Sequence, residues 1–226
     1  MNLTRLRLPG TFAASEADPH AGQPVLSAGL PLEEASAAML LVHGRGASAE
    51  DILGLALELD CSGYALLAPQ AANHAWYPQR FLAPTASNQP WLDSALAVLG
   101  RITEHIAAAG IMPERTLLLG FSQGACLALE YAARNARRYG GVVGLSGGLI
   151  GADDEPRQDS GSLAGTPVFL GCSDIDPHIP IPRVHQSAQT LQALGGRVET
   201  RLYPGMGHTV NDDELDWIQN LLRSLA

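Results

Sequence analysis

Lysine is absent. All fourteen basic residues of this 226-residue chain are arginine, against twenty-three acidic ones, and the net charge is −9. Without lysine there is no Schiff-base amine, no Gly-Lys-Ser/Thr phosphate loop and no Ser-Lys dyad. A net charge of this sign excludes the broad basic face that a nucleic acid or an anionic membrane surface requires. Cysteine is scarce too: Cys61, Cys126 and Cys172 are odd in number and scattered, so no disulfide framework is expected. No stretch of eighteen or more uninterrupted apolar residues offers a membrane span. The opening "MNLTRLRLPGTFAASEADPH" lacks a long apolar core, so a signal peptide is not expected. These absences lead to the expectation of a cytoplasmic protein. Neither a monomer nor a homodimer is selected.

The chain is otherwise rich in apolar residues, at 46%, with 16% charged, the balance of a globular domain. Residues 1–36 hold four prolines and read as an irregular segment with an edge strand or hairpin. Strands and helices then alternate. Strands are expected at 37–44, 64–69, 115–121, 140–146, 166–171 and 197–203. Helices are expected at 49–60, 90–109, 123–138, 183–194 and from Asn211 onward, where Asn211 and Glu214 form a capping-box pair. Alternation of this kind implies one α/β domain with a mainly parallel sheet covered on both faces. Sites in such sheets lie beyond the carboxyl ends of the strands.

At one of those ends stands "GFSQG", residues 120–124, between an apolar strand and an Ala-rich helix. Ser122 could be an ordinary helix N-cap. A sharp strand–turn–helix with Gly120, Gly124 and Ala125 closely packed is instead what a nucleophile elbow requires. A serine hydroxyl needs an adjacent base. In elbow folds the acid and then the histidine follow the serine in the chain. His208, in the Gly-rich "YPGMGHTVND", best fits the base; His185 falls in a helix, and His178 lies only two residues from the nearest acid. Asp174 and Asp176 in "CSDIDPHIP" are both candidates for the acid. The loop "HGRGASAED" suits an oxyanion loop, pairing one of its backbone N–H groups with that of Gln123. His43 reads as a buried brace of that loop, and Cys126 as core. Trp76, Tyr77 and Phe81 either wall an acyl pocket or pin their long loop. Asp174 and Asp176 lack further ligands at metal spacing, so no metal and no other cofactor is expected.

The segments "HGRGASAED", "GFSQGACLAL", "GVVGLSGGL", "DPHIP" and "GMGH", in this order from about residue 38 onward, resemble the phospholipase/carboxylesterase family of α/β-hydrolases. That family includes acyl-protein thioesterases and small carboxylesterases. The resemblance implies an eight-stranded, mostly parallel sheet, or that sheet short of one strand, without a large lid. It implies a triad of Ser122, Asp176 and His208, with the oxyanion N–H groups on Arg45 and Gln123. The implied activity is hydrolysis of a small-molecule ester or thioester; a dienelactone- or peptide-directed hydrolase and a non-catalytic binding protein are the alternatives. Two positions depart from the family pattern: Arg45 stands where leucine is common, and Cys172 where the family often has histidine. The Arg45 side chain is thereby open to two uses, recognition of a substrate carboxylate or a bracing pair with Glu50 or Asp51.

Overall fold

A computed structural model describes residues 3–6, 13–157 and 159–225. The strands are β1 (Thr4–Leu6), β2 (Val25–Gly29), β3 (Ala37–Val42), β4 (Tyr64–Pro69), β5 (Thr116–Phe121), β6 (Gly141–Leu145), β7 (Pro167–Ser173) and β8 (Arg197–Tyr203). The helices are α1 (Ala49–Leu55), α2 (Trp91–Ala108), α3 (Gln123–Arg134), α4 (Ile181–Ala193) and α5 (Asp212–Leu225). The strands form one sheet in the order β1-β2-β4-β3-β5-β6-β7-β8. The first two pairings, β1 with β2 and β2 with β4, are antiparallel, and the other five are parallel. All eight strands implied by the resemblance are present. Residues 1–2 and 7–12 of the irregular N-terminal segment lie outside the described residues; its described part supplies the antiparallel edge.

Alternation along the central strands divides the core. Ala38, Leu40, Val42, Leu118, Val142 and Leu170 face α2, α3 and α4 on one side. Met39, Leu41, Leu117, Leu119, Val143 and Phe169 face α1 and α5 on the other. A strand buried on both faces needs a continuous apolar run, which is why β3 reads AAMLLV. The edge strand β8 carries Arg197, Glu199 and Arg201, charges that discourage pairing with a further strand. The expected stripe of α2 is buried at Ala95, Val98, Leu99, Ile102 and Ile106. Trp91 is only partly covered. The cap of α5 forms as expected: Asn211 Oδ1 accepts the Glu214 N–H at 3.0 Å, and Glu214 Oε2 accepts the Asn211 N–H at 3.0 Å.

Two helices end earlier than their patterns suggest. The α-helical part of 49–60 stops at Leu55 and tightens into a short 3₁₀ turn, and 123–138 stops at Arg134. At the second end the Asn135 side chain turns back to the Tyr131 carbonyl at 3.0 Å, competing with further helical hydrogen bonding. Between β6 and β7 the described residues hold no helix, so nothing resembling a lid covers the strand ends.

Candidate active site

Ser122 occupies the N-cap position of α3, yet its side chain makes no capping hydrogen bond. Its backbone sits at φ 56° and ψ −120°, a region that costs a non-glycine residue about 1–3 kcal/mol. The surrounding structure holds it there. Its N–H donates to Leu145 O at 2.9 Å and its carbonyl accepts from Cys126 N at 3.1 Å. The flanking glycines are required by close approach. A Cβ on Gly120 would lie 2.2 Å from the Gly124 carbonyl oxygen, and one on Gly124 would lie 2.0 Å from that of Val42. Helix α3 is thus pressed against β5 and β3 together, and the turn lifts the hydroxyl out above the sheet.

The hydroxyl meets His208, with Ser122 Oγ 2.8 Å from His208 Nε2. On the far side of the ring, His208 Nδ1 lies 2.7 Å from Asp176 Oδ2. The carboxylate can only accept, so Nδ1 carries the proton and Nε2 is free to take one from the serine. The Asp176 side chain is fully covered. Burial pushes its carboxyl pKa up, but hydrogen bonds from His208 and from the His178 and Ile179 N–H groups outweigh this and leave it below the usual range. Asp174, the alternative, is exposed and accepts the Gly205 N–H at 2.8 Å. It ties the loop after β7 to the loop after β8, which carries His208. Ser173 adds a second tie, its hydroxyl donating to the Met206 carbonyl. Cys172 directs its thiol at Asp176 Oδ2 across 3.9 Å. Burial pushes that thiol up to about 12, so it stays a neutral donor toward the carboxylate.

Among the described residues, the backbone N–H groups of Arg45 and Gln123 have no acceptor. Both residues line the cleft around Ser122. His43 braces the first of these loops, as expected. Its Nε2 accepts the Ala71 N–H at 3.1 Å, so Nδ1 donates to Gly44 O at 2.7 Å. Burial draws its pKa below the ordinary value, consistent with a neutral ring.

The cleft has a volume of about 470 Å³. Tyr77 and Phe81 line it, and Cys126 reaches it although its side chain is buried in the core. Trp76 does not wall the cleft. It is wholly buried, with its indole N–H on His43 O at 2.9 Å and its ring beside those of His20 and His43. A tryptophan needs an acceptor for its N–H when buried, and the His43 carbonyl supplies one. His178 lies outside the serine–histidine pair but lines the cleft, edge-on to His208 with ring centroids 4.9 Å apart. His185 is exposed on α4.

Arg45 makes neither of the expected ion pairs. The Asp51 carboxylate is taken by the cap of α1, where it accepts the Ser48 N–H at 2.8 Å. The Arg45 guanidinium instead reaches the carbonyls of Tyr77 at 2.7 Å, Pro78 at 3.2 Å and Gln79 at 2.8 Å. Gln123, for which the sequence suggested only a backbone role, also holds this loop. Its Oε1 accepts the Trp76 N–H at 2.9 Å and its Nε2 donates to Tyr77 O at 2.9 Å.

A protein-family model described as phospholipase/carboxylesterase matches residues 29–226. The chain belongs to the phospholipase/carboxylesterase family. Among solved structures, a phospholipase/carboxylesterase from Dyadobacter fermentans aligns with a TM-score of 0.87 at 41% identity, covering 95% of this chain and all of that one. Arabidopsis thaliana SOBER1, at 21% identity and a TM-score of 0.71, shares the fold. Among curated proteins, acyl-protein thioesterase 1 of Gibberella zeae is 38% identical over 119 residues, and that of Saccharomyces cerevisiae 32% over 120. The chain spans about half the length of these curated relatives. The fold is therefore that of the family, an α/β-hydrolase sheet without a large lid. Among the described residues, no helix is long and apolar enough to cross a membrane, and no group of three or more His, Cys, Asp or Glu side chains converges as a metal site.

Proposed function

We propose that the chain is a single-domain serine hydrolase that cleaves carboxylic esters or thioesters through an acyl-enzyme. The observation that carries this reading is the unbroken line from Ser122 Oγ to His208 Nε2 at 2.8 Å and from His208 Nδ1 to Asp176 Oδ2 at 2.7 Å. Ser122 Oγ attacks the acyl carbon while His208 Nε2 takes its proton. Asp176 fixes the ring and stabilises the imidazolium so formed, remaining ionised itself. The carbonyl oxygen becomes an oxyanion facing the free N–H groups of Arg45 and Gln123, each donor contributing about 10²–10³ in rate. His208 returns the proton to the departing alcohol or thiol. Water, deprotonated by the same ring, then attacks the acyl-serine and releases the acid. Every group is supplied by the protein chain.

The open cleft and the β6–β7 connection, whose described residues hold no helix, suit soluble, accessible substrates. The cysteines, all unpaired, suit a reducing compartment such as the cytoplasm. A binding protein on the same fold would have no use for a strained serine aligned with a histidine. The test is labelling with a fluorophosphonate probe, read by mass spectrometry, beside hydrolysis of para-nitrophenyl acyl esters. The expected result is one adduct on Ser122, absent from Ser122→Ala, with esterase activity lost in parallel. An unlabelled Ser122 together with no ester hydrolysis would overturn the reading.

A further inference from the structure

The loop of residues 77–81 forms one wall of the cleft, and its backbone is unusually well held. The Tyr77 carbonyl accepts from both Arg45 and Gln123, and the Pro78 and Gln79 carbonyls accept from Arg45. The Arg80 carbonyl accepts from the Asn88 amide at 3.3 Å and from the Ala83 N–H at 3.1 Å. The Phe81 carbonyl accepts the Gly151 N–H at 2.8 Å. Asn88, itself fully buried, also takes the Gln79 N–H at 2.8 Å. All five successive carbonyls are thus hydrogen-bonded, a density found in regular elements and not in ordinary surface loops.

The side chain that this scaffold presents is Arg80. It lines the same cleft as Ser122 and His208 and is exposed. Among the described residues its guanidinium has no acceptor and no acidic partner. Arg45 adds a second positive charge with its donors already committed to carbonyls. Among the described residues no Asp or Glu lines the cleft, in a chain whose net charge is −9. A cleft of one sign with low-dielectric walls focuses its field on an incoming ligand of the opposite sign.

We propose that Arg80 makes this site selective for substrates that carry a carboxylate beside the scissile ester, held by the guanidinium fork while Ser122 attacks. The proposal rests on the serine-hydrolase reading. A planar carboxylate matches the fork in two parallel hydrogen bonds, and the scaffold orders the loop before the substrate arrives.

The test uses two matched substrate pairs. In the first the charge is on the acyl side: the para-nitrophenyl half-ester of adipate against para-nitrophenyl heptanoate. In the second it is on the leaving group: the butyrate ester of para-hydroxybenzoate against that of its methyl ester. Wild-type protein is expected to favour the anionic member of at least one pair in kcat/KM, less strongly as salt is raised. In Arg80→Leu the anionic-to-neutral ratio of that pair should fall roughly 10- to 100-fold, the range of one charge-assisted hydrogen bond. Arg80→Lys, which keeps charge and loses the fork, should fall in between. The pair that responds tells which side of the ester carries the anion. Ester hydrolysis with Ser122 labelled, but with no anionic preference or with a ratio indifferent to Arg80, would overturn the proposal and leave the hydrolase reading standing. No hydrolysis and no labelling would remove both.

Discussion

Two clefts of similar size, both rich in arginine, treat that charge in opposite ways. One, of about 420 Å³, is lined by Arg134, Arg157 and Arg183. There every guanidinium meets a carboxylate. Arg134 and Arg157 reach the buried Glu130 at 2.6 and 3.0 Å, Arg157 also reaches Asp159 at 2.5 Å, and Arg183 reaches Asp153 at 2.5 Å. Glu130 accepts the Ile150 N–H as well, at 3.0 Å, so this cluster ties α3 to the β6–β7 connection. The cleft over Ser122 has Arg45 and Arg80 and, among the described residues, no carboxylate lining it. The first cleft spends its charge on its own walls; in the second, the charge of Arg80 is left to whatever enters. Arginine in a hollow therefore says little about binding until its acceptors have been followed.

The contrast breaks most sharply at the two buried carboxylates. Asp176→Asn should leave the fold in place and cost on the order of 10⁴ in kcat, read from steady-state ester hydrolysis, because the imidazole loses its orienting acceptor. Its neighbour tests the choice: Asp174→Asn should cost far less, and the reverse order would show that the wrong aspartate stands behind His208. Glu130→Gln in the other cleft should instead cost about 1.5–3 kcal/mol of stability in chemical denaturation, the range for losing a hydrogen bond to a charged group, since Arg134 and Arg157 remain partly solvated and Arg157 keeps Asp159. Its effect on kcat should be small beside that of Asp176→Asn.

Glu214 sharpens the comparison, being as buried as Glu130 but without a cation. Its Oε1 has no hydrogen-bond partner among the described residues, and burial raises its pKa to about 7. The folded state therefore holds this proton where the unfolded chain, near 4.5, has released it. Stability must fall as pH rises from about 4.5 to about 7, by up to about 3 kcal/mol, and level off above. Denaturation of wild type and Glu214→Gln at pH 5 and pH 8 should show that pH-dependent loss in wild type alone; equal slopes would place the charge elsewhere. The smallest effect is expected at Arg45→Leu. Releasing three carbonyls should raise KM for both ester classes, somewhat more for the anionic one because a cleft charge is lost too, and lower Tm by a few degrees, as for roughly 1 kcal/mol in a chain of this size. Loss confined to anionic esters would give Arg45 the role assigned here to Arg80.

Local pattern carried much of this structure. Continuous apolar runs announced β3, β4 and β5, and the glycines around Ser122 announced a turn too tight for side chains at 120 and 124. His208 could be singled out because the position of its loop, after β8, follows from the alternation alone. What pattern could not supply was contact between distant segments. Asp174 and Asp176 differ only in whether the loop folds toward His208 or toward Gly205, so residues alone left them equal. For Trp76, pattern leaves open whether it walls a pocket or pins its loop; what decides for the second is its acceptor, the His43 carbonyl, 33 positions away. For Arg45, pattern offers a substrate carboxylate or the nearby acids Glu50 and Asp51, while its actual acceptors are carbonyls 32 to 34 positions on. The Gln123 clamp was hidden by the interest of its own backbone N–H.

The close fit of Gly124 against Val42 has a consequence for how this protein can change. Helix, two strands and the turn at Ser122 share one joint with no slack, and a single methyl group there would force them apart. The cleft wall at 77–81 is held beside that joint by the side chains of Arg45 and Gln123, and side chains can be exchanged. Variant libraries selected for new substrates should therefore accumulate replacements along that stretch and return residues 120–124 untouched, with the old joint serving each new specificity.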